Sequence, residues 1–260
     1  MTKLPKLTRL LVLAAVLGLA ACASNERAPE LSPAARRSLA EAVDGGDIDT
    51  AGVGALRDAA RRAPNNAAAQ QRYGLAAERA KLYPEALMAL DRAVAVGGAV
   101  PALLLTQGRI ALEAGDVPAA ALAYSRTLDG DPRNVGALSG LGVAEDLERR
   151  HEEARERYNE ALRLAPGDWK VRSNLAMSLL MSDRAVEAAA VLAGADRDPA
   201  APRRARDDLA LALVAAGRRN QAISVLRADM SEPEAATLAD EFAGFSRWLA
   251  SQEGNTSAVR

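Results

Sequence analysis

The sequence holds little of the side-chain chemistry that catalysis and metal binding use most. Its 260 residues include one cysteine, Cys22, and one histidine, His151. One cysteine cannot close an internal disulfide, and neither residue has the partners of a zinc site or of a Cys–His nucleophile. These absences predict a protein that is not an enzyme and that holds no metal and no cofactor.

An excess of positive charge and long hydrophobic runs are also missing. The chain has 33 basic and 34 acidic residues, so no basic footprint predicts a nucleic-acid partner. The longest apolar run, residues 10–21, has 12 residues, whereas a transmembrane helix needs about 20. Aromatic residues make up 3% of a chain that is 49% hydrophobic, which favours helices with closely packed cores of small residues.

The N-terminus has the pattern of an exported protein. Three cations, Lys3, Lys6 and Arg9, precede the apolar run, which predicts a signal peptide over residues 1–21. The segment "LAAC" that ends at Cys22 is similar to the lipobox of bacterial lipoproteins and implies a lipid on that cysteine. The alternatives are an uncleaved anchor and an ordinary export signal with an incidental cysteine.

Cleavage before Cys22 would leave 239 residues with 30 basic and 34 acidic side chains, a net charge of −4. Residues 22–32 are polar and lack periodicity, so they predict a flexible tether behind the lipidated Cys22. Ala23 and Ser24 stand where an Asp typically retains a lipoprotein in the inner membrane. Because neither residue is Asp, we expect the protein to be sorted to the outer membrane and to face the periplasm. Two or more acyl chains on Cys22 would hold it firmly there.

A period of 34 residues dominates the rest of the chain. Position eight is small, at Gly74, Gly108, Gly142, Ala176 and Ala210. Position 20 is alanine, at Ala86, Ala120, Ala154, Ala188 and Ala222, and position 24 is large, at Leu90, Tyr124, Tyr158, Leu192 and Leu226. This is the tetratricopeptide-repeat (TPR) pattern, a helix–turn–helix unit. It predicts an all-α solenoid of about five to six repeats, five of them at 67–100, 101–134, 135–168, 169–202 and 203–236.

The special residues of each unit have a physical role in this pattern. A glycine inside a helix costs about 1 kcal/mol relative to alanine, so we expect close contact between helices A and B to offset that cost. Gly115 and Gly217, both at position 15, favour a tight turn between the two helices. Pro132 and Pro166, at position 32, end helix B.

Both ends of the repeat array depart from the pattern. Residues 33–66 predict a degenerate first repeat, with a poor helix over "DGGDIDTAGVG", residues 44–54. Ser231 and Glu234 form a candidate capping box for a helix that covers the last repeat. We assign residues 67–236 to the five repeats and residues 237–260 to a C-terminal cap helix and a disordered tail.

One polar residue and two polar segments could have either a functional or a purely structural role. His151 could be a general base, but its charged surroundings favour a solvated turn residue. Residues 44–52 lack the acidic residue at loop position 12 of a calcium-binding EF-hand, which favours a polar turn. The charged run 145–160 favours a helix hairpin with solvated faces over an interaction surface.

A stack of TPR units presents a concave groove lined mainly by A helices. Its expected lining is apolar with a few polar groups, which suits an amphipathic helix or an extended apolar peptide. The alternative is that these residues pack against neighbouring repeats or the cap helix. The candidate groove residues are Leu105, Arg109, Leu112, Val143, Asn174, Met177, Leu180 and Leu211.

The repeats resemble one envelope family more than others. "GLGVAED" (140–146), "VRSNLAMSL" (171–179) and "DLALALVAAGR" (208–218) followed by "LRADM" (226–230) are similar to the last three repeats of the TadD family, the TPR lipoproteins of the Flp (tight-adherence) pilus machinery. The resemblance implies a pilotin-like role, in which the protein helps a pilus secretin subunit reach the outer membrane or assemble there. The family has no catalytic residues to transfer, and only the lipid acceptor carries over, onto Cys22.

Two functions follow as alternatives. The first is a non-enzymatic adaptor that binds a secretin subunit, or a peptide of it, while its acylated cysteine holds the membrane. The second is a general periplasmic scaffold that recruits outer-membrane assembly factors or cell-wall hydrolases. The protein's own tail could also occupy the groove.

Overall fold

The computed structural model of the chain describes residues 50–254. The predicted signal peptide, Cys22 with its tether, residues 33–49 and residues 255–260 lie outside the described residues. Every regular element within the described part is an α-helix, which confirms the all-α prediction. The helices are α1 (Thr50–Arg62), α2 (Ala67–Arg79), α3 (Tyr83–Gly97), α4 (Pro101–Ala114), α5 (Val117–Gly130), α6 (Val135–Leu147), α7 (His151–Leu164), α8 (Trp169–Met181), α9 (Ala185–Val191), α10 (Arg203–Ala215), α11 (Arg219–Leu226) and α12 (Glu232–Gly254).

The helices keep the predicted 34-residue register. The A helices begin at Ala67, Pro101, Val135, Trp169 and Arg203. The B helices begin at Tyr83, Val117, His151, Ala185 and Arg219. Each start lies 34 residues after the previous one of its kind, so no insertion interrupts the five helix pairs.

Polar caps fix where several helices begin. The side chain of Asn66 accepts a hydrogen bond of 3.0 Å from Ala69 N, and that of Asn134 accepts one of 2.9 Å from Ala137 N. Asp168 caps α8 by accepting from the backbone N–H groups of residues 170 and 171 at 2.9 and 3.1 Å. Each cap satisfies N–H groups that have no partner inside the helix.

The described residues form two compact units, 50–144 and 145–254. In the first, α2 packs against α1 and α3, and α4 packs against α3 and α5. In the second, α8 packs against α7, α9 and α10, and α10 packs against α9 and α11. The long last helix α12 lies against α8, α10 and α11.

Close packing offsets the cost of the mid-helix glycines, and the large residue at position 24 is the partner. A Cβ atom on Gly108 would lie 2.7–2.8 Å from ring atoms of Tyr124, and one on Gly74 would lie 2.8 Å from the side chain of Leu90. The ring of Tyr124 also lies where a Cβ atom on Gly140 would be. The position-24 side chain therefore fills the space beside position eight of its own repeat as well as space toward the next repeat.

Position 15 has a left-handed backbone in all five repeats. Gly115 and Gly217 have φ of 78° and 75°, which confirms the predicted tight turn. Lys81, Arg149 and Asp183 occupy the same position with φ of 58°, 63° and 55°. Non-glycine residues pay a steric penalty in this region, so three of the five turns are strained relative to a glycine turn.

The N-terminal prediction of a poor helix over residues 44–54 is wrong for residues 50–54. Thr50–Gly54 form the first part of α1, with Gly52 and Gly54 inside the helix. Val53 and Ala60 of α1 are buried, and α1 packs against α2. Burial of this face outweighs the low helix propensity of the two glycines.

Helix B of the fourth repeat is short, and the predicted capping box before the last helix is present. Helix α9 stops at Val191 after seven residues, and turns replace the rest of helix B in that unit. The backbone N–H and the hydroxyl of Ser231 both donate to Glu234 Oε2, at 2.9 and 2.6 Å. This capping box starts α12 at Glu232, five residues before the predicted boundary at 237.

Candidate partner-binding surfaces

In residues 50–144, three of the candidate groove residues share one face of α4. Leu105, Arg109 and Leu112 are spaced i, i+4 and i+7, and Val143 lies on α6. Leu105, Leu112 and Val143 are 8%, 4% and 2% exposed. A partner would therefore contact only the outer atoms of these apolar side chains, and its binding there stays a prediction.

Arg109 is the one charged residue among the candidates, and two carboxylates hold it. Its guanidinium lies 2.5 Å from Glu78 and 2.8 Å from Glu113. Burial by itself lowers the pKa of Arg109, but Glu78 and Glu113 outweigh it and raise the pKa. Burial together with the same two carboxylates raises the pKa of Tyr83. A partner carboxylate would have to displace Glu78 or Glu113 to reach Arg109.

In residues 145–254, the other candidates lie on two A helices. Asn174, Met177 and Leu180 are on α8, and Leu211 is on α10. These four residues are 1%, 8%, 7% and 5% exposed. Both helices are in contact with α12, whose buried face carries Ala235, Ala239, Phe242 and Phe245. The C-terminal helix is thus part of the surroundings of these A helices.

A buried polar cluster centred on Asp146 was not foreseen. Asp146 is 5% exposed. Its Oδ1 accepts from Ser178 Oγ at 2.7 Å and lies 2.8 Å from His151 Nδ1, and its Oδ2 accepts from Tyr158 Oη at 2.9 Å. The available signal was an acidic residue at position 12, where three of the other four repeats have Leu112, Leu180 or Val214 and the first has Glu78.

This cluster corrects two predictions. His151 is the first residue of α7 rather than a turn residue, and its side chain is only 16% exposed. The charged run 145–160 has buried members, because Glu145, Asp146 and Arg155 are each 4–6% exposed. Glu145 and Asp146 lie on α6 and Arg155 lies on α7, so both helices of this hairpin bury charged side chains and the hairpin is not wholly solvated.

The geometry of the cluster does not match a Ser–His–Asp nucleophile. In such a triad the serine hydroxyl donates to the histidine, which is held by the carboxylate. Here the hydroxyl of Ser178 donates to Asp146 and not to His151, so the histidine is not placed to accept the serine proton. Ser178 is fully buried, and burial, then the nearby Asp146, raises the pKa of Tyr158. The arrangement joins α6, α7 and α8.

Other acids are also buried in residues 145–254. Burial raises the pKa of Glu145 and is opposed in part by Arg157, whose Nε lies 3.6 Å from Glu145 Oε1. Burial likewise raises the pKa of Asp208, opposed by Arg204. These shifts follow from burial of charged side chains on A helices.

Within residues 50–254, no group of three or more His, Cys, Asp and Glu side chains is placed to hold a metal ion. None of the helices in that range combines the length and the apolar character that crossing a bilayer requires.

The comparisons with known proteins concern the repeats and the fold. A tetratricopeptide-repeat family model matches residues 105–168 and 148–202. Among curated protein sequences, none matches this chain.

Several solved structures share the fold. TTC0263, a thermophilic TPR protein of Thermus thermophilus, is 21% identical with a TM-score of 0.53 and covers 69% of this chain and 98% of its own. A TPR protein of Parabacteroides merdae is 13% identical with a TM-score of 0.58 and covers 93% and 94%. YrrB, a TPR protein with an unusual peptide-binding site, is 16% identical with a TM-score of 0.53 and covers 73% and 97%. The chain therefore has the tetratricopeptide-repeat fold, with repeats that match the family model between residues 105 and 202.

Proposed function

We propose that this protein is a non-enzymatic, lipid-anchored adaptor at the periplasmic face of the outer membrane that binds a pilus secretin subunit and assists its assembly. TPR proteins act in protein–protein interaction, and that coarser role rests on the repeats themselves. The observation that carries the proposal is the face of α4, where Arg109 is paired with Glu78 and Glu113 and lies between Leu105 and Leu112, which leave only their outer atoms exposed.

The mode of binding follows from that face. An amphipathic helix or an extended peptide can lay apolar side chains against the A helices, while its polar groups reach Arg109 or its carboxylate partners. YrrB is described as having an unusual peptide-binding site, and the shared fold supports peptide capture by this chain as well. The charges on Glu78 and Glu113 favour a partner segment that brings a cation, or one that replaces a carboxylate.

The membrane part of the proposal rests on the sequence around Cys22. The signal pattern, the "LAAC" segment and the absence of an Asp after the cysteine support an outer-membrane lipid anchor. The likeness of residues 138–230 to the TadD family supports a secretin as the partner and the Flp pilus as the setting. An adaptor of this kind needs no cofactor beyond the covalent lipid.

The test is secretin assembly in cells that carry the Flp pilus genes. Removing this protein should abolish detergent-resistant secretin multimers in the outer-membrane fraction, and the wild-type chain should restore them. Cys22→Ser should fail to restore them while the protein accumulates in soluble form. Normal multimers without the protein would exclude the secretin role and favour the general scaffold.

The groove is tested separately with variants that add bulk without burying charge. Gln71 is exposed at position five of α2, and Gln71→Trp should reduce multimer formation by blocking the groove. Ser125→Trp adds the same side chain at an exposed position of the B helix α5 and serves as the matched control. If both variants support assembly equally, binding does not use the A-helix face, although the secretin role still stands.

A further inference from the structure

A second surface lies on residues 50–97. Helices α1, α2 and α3 enclose a depression of about 260 Å³ whose lining includes Arg57, Arg61, Tyr73, Met88, Ala89 and Arg92. None of these is a candidate groove residue. We call this depression the arginine groove.

The rim of the arginine groove is positively charged. Arg61 and Arg92 are exposed and make no ion pair within the described residues. Arg57 has only a 3.8 Å contact with Asp58, and both side chains are about half exposed, so this pair contributes little. Glu85 is the acidic member of the lining. Three arginines around one depression create a local field that favours an anionic partner.

The basic character extends beyond the rim. Residues 50–97 hold seven basic and four acidic side chains, whereas residues 145–254 hold 16 basic and 20 acidic ones. The positive charge is therefore a local property of the first helices in a chain whose net charge is negative.

The floor of the arginine groove is apolar and preformed. Met88 is 58% exposed on α3, beside the partly buried Tyr73 and the buried Ala89. An exposed methionine offers a soft, adaptable contact for an apolar side chain. Gln70 Nε2 donates to Ala60 O at 2.9 Å and so ties α2 to α1 beneath the depression. Binding there would not need to order these helices.

We propose that the arginine groove is a second docking surface, which takes an acidic segment of a partner protein with one large apolar side chain between its carboxylates. The carboxylates pair with the rim arginines, which can bind them in bidentate fashion. The apolar side chain covers Met88 and Tyr73. This surface goes beyond the proposed secretin contact and does not depend on it.

The test uses a panel of short fluorescent peptides in which the number of acidic residues and the central apolar residue vary independently. Binding to the purified protein is measured by fluorescence anisotropy at low and high salt. Peptides with several acidic residues and a central Leu or Phe should bind best, and binding should weaken at high salt because the rim is exposed. Arg57→Glu, Arg61→Glu and Arg92→Glu combined should weaken binding by about tenfold or more.

Two variants assign the effect to this surface. Arg126→Glu with Arg133→Glu reverses charge at exposed positions of the same unit and should change the affinity less than about twofold. Met88→Ser should weaken binding of the Leu and Phe peptides more than binding of their alanine counterparts. Circular dichroism confirms that each variant is folded.

Several outcomes would overturn the proposal. They are equal binding of basic peptides, equal loss in the control variant, no dependence on the central apolar residue, and no binding by any peptide. Binding to anionic phospholipid vesicles is measured in the same way. If the protein binds these vesicles but not the acidic peptides, the arginine groove recognises lipid headgroups and the proposal is wrong.

Discussion

Tyr158 donates a hydrogen bond of 2.9 Å to Asp146, and both residues are buried. Tyr124 occupies the same position, 24, in the preceding repeat, but its buried hydroxyl has no hydrogen-bond partner within the described residues. Position 12 explains the difference, because the third repeat has Asp146 there and the second has Leu112. The hydroxyl of Tyr158 therefore has a hydrogen-bond acceptor, and the hydroxyl of Tyr124 has none within the described residues.

This pair predicts opposite effects of the same substitution. Tyr158→Phe should lower the free energy of unfolding by about 1.5 kcal/mol, since a hydrogen bond to a charged group is lost. Tyr124→Phe removes an unsatisfied buried hydroxyl and should leave stability unchanged or raise it. Urea unfolding followed by circular dichroism measures both. Equal losses in the two variants would contradict the prediction.

Asp146 itself should matter more than either tyrosine. Asp146→Ala leaves Tyr158, Ser178 and His151 without their shared acceptor, and we expect a loss of about 3 kcal/mol. The control is Asp129→Ala, at an exposed position of α5, which should change stability by less than about 0.5 kcal/mol. A small effect at Asp146 would mean that water satisfies the three donors.

Glu145 gives a prediction about pH. Burial, opposed by Arg157, raises the pKa of Glu145 above its ordinary 4.5. The folded state therefore binds this proton more tightly than the unfolded chain, and stability is lost as the pH rises through the raised value. Glu145→Gln should stabilise the protein at about pH 7 and have little effect at about pH 4.

Urea unfolding of both proteins across that pH range measures the difference. Glu160→Gln is the matched control, because Glu160 on α7 also lies near Arg157, at 3.9 Å, but is 40% exposed, and it should give a smaller gain at about pH 7 than Glu145→Gln. If Glu145→Gln stabilises the protein equally at both ends of the range, titration of Glu145 is not the cause.

The repeat register could be predicted to the residue because it depends on local rules. Small residues at positions eight and 20, a large one at 24 and a turn at 15 recur without insertion, so both helices of every unit begin where the spacing puts them. The fold follows from this periodicity.

The rest depends on contacts between residues far apart in sequence. The cluster around Asp146 joins positions up to 32 residues apart, and the acidic residue at position 12 does not by itself indicate which side chains it contacts. The helix over Thr50–Gly54 forms because its partners bury Val53, although its own glycines disfavour it. Burial of the candidate groove residues likewise depends on neighbouring helices.

The mid-helix glycines predict a contrast between packed and open positions. Gly108→Ala would bring a methyl group to 2.7–2.8 Å from the ring of Tyr124, and we expect a loss of about 1–3 kcal/mol. Gly52→Ala meets no atom within 4 Å and should stabilise α1 by about 0.5–1 kcal/mol through helix propensity. Thermal and urea unfolding measure both. Two losses of similar size would mean that crowding is not the cause at Gly108.

The turn at position 15 predicts a reciprocal pair in adjacent repeats. Lys81 has φ of 58° and Gly115 has φ of 78°. Lys81→Gly should raise the free energy of unfolding by about 1 kcal/mol, because glycine adopts this conformation without a steric penalty. Gly115→Ala should lower it by a similar amount, about 1 kcal/mol. Lys81→Ala is the control that removes the side chain but keeps the penalty, so it should gain nothing. If Lys81→Ala stabilises the protein as much as Lys81→Gly, the charge of Lys81 rather than its backbone is what costs stability.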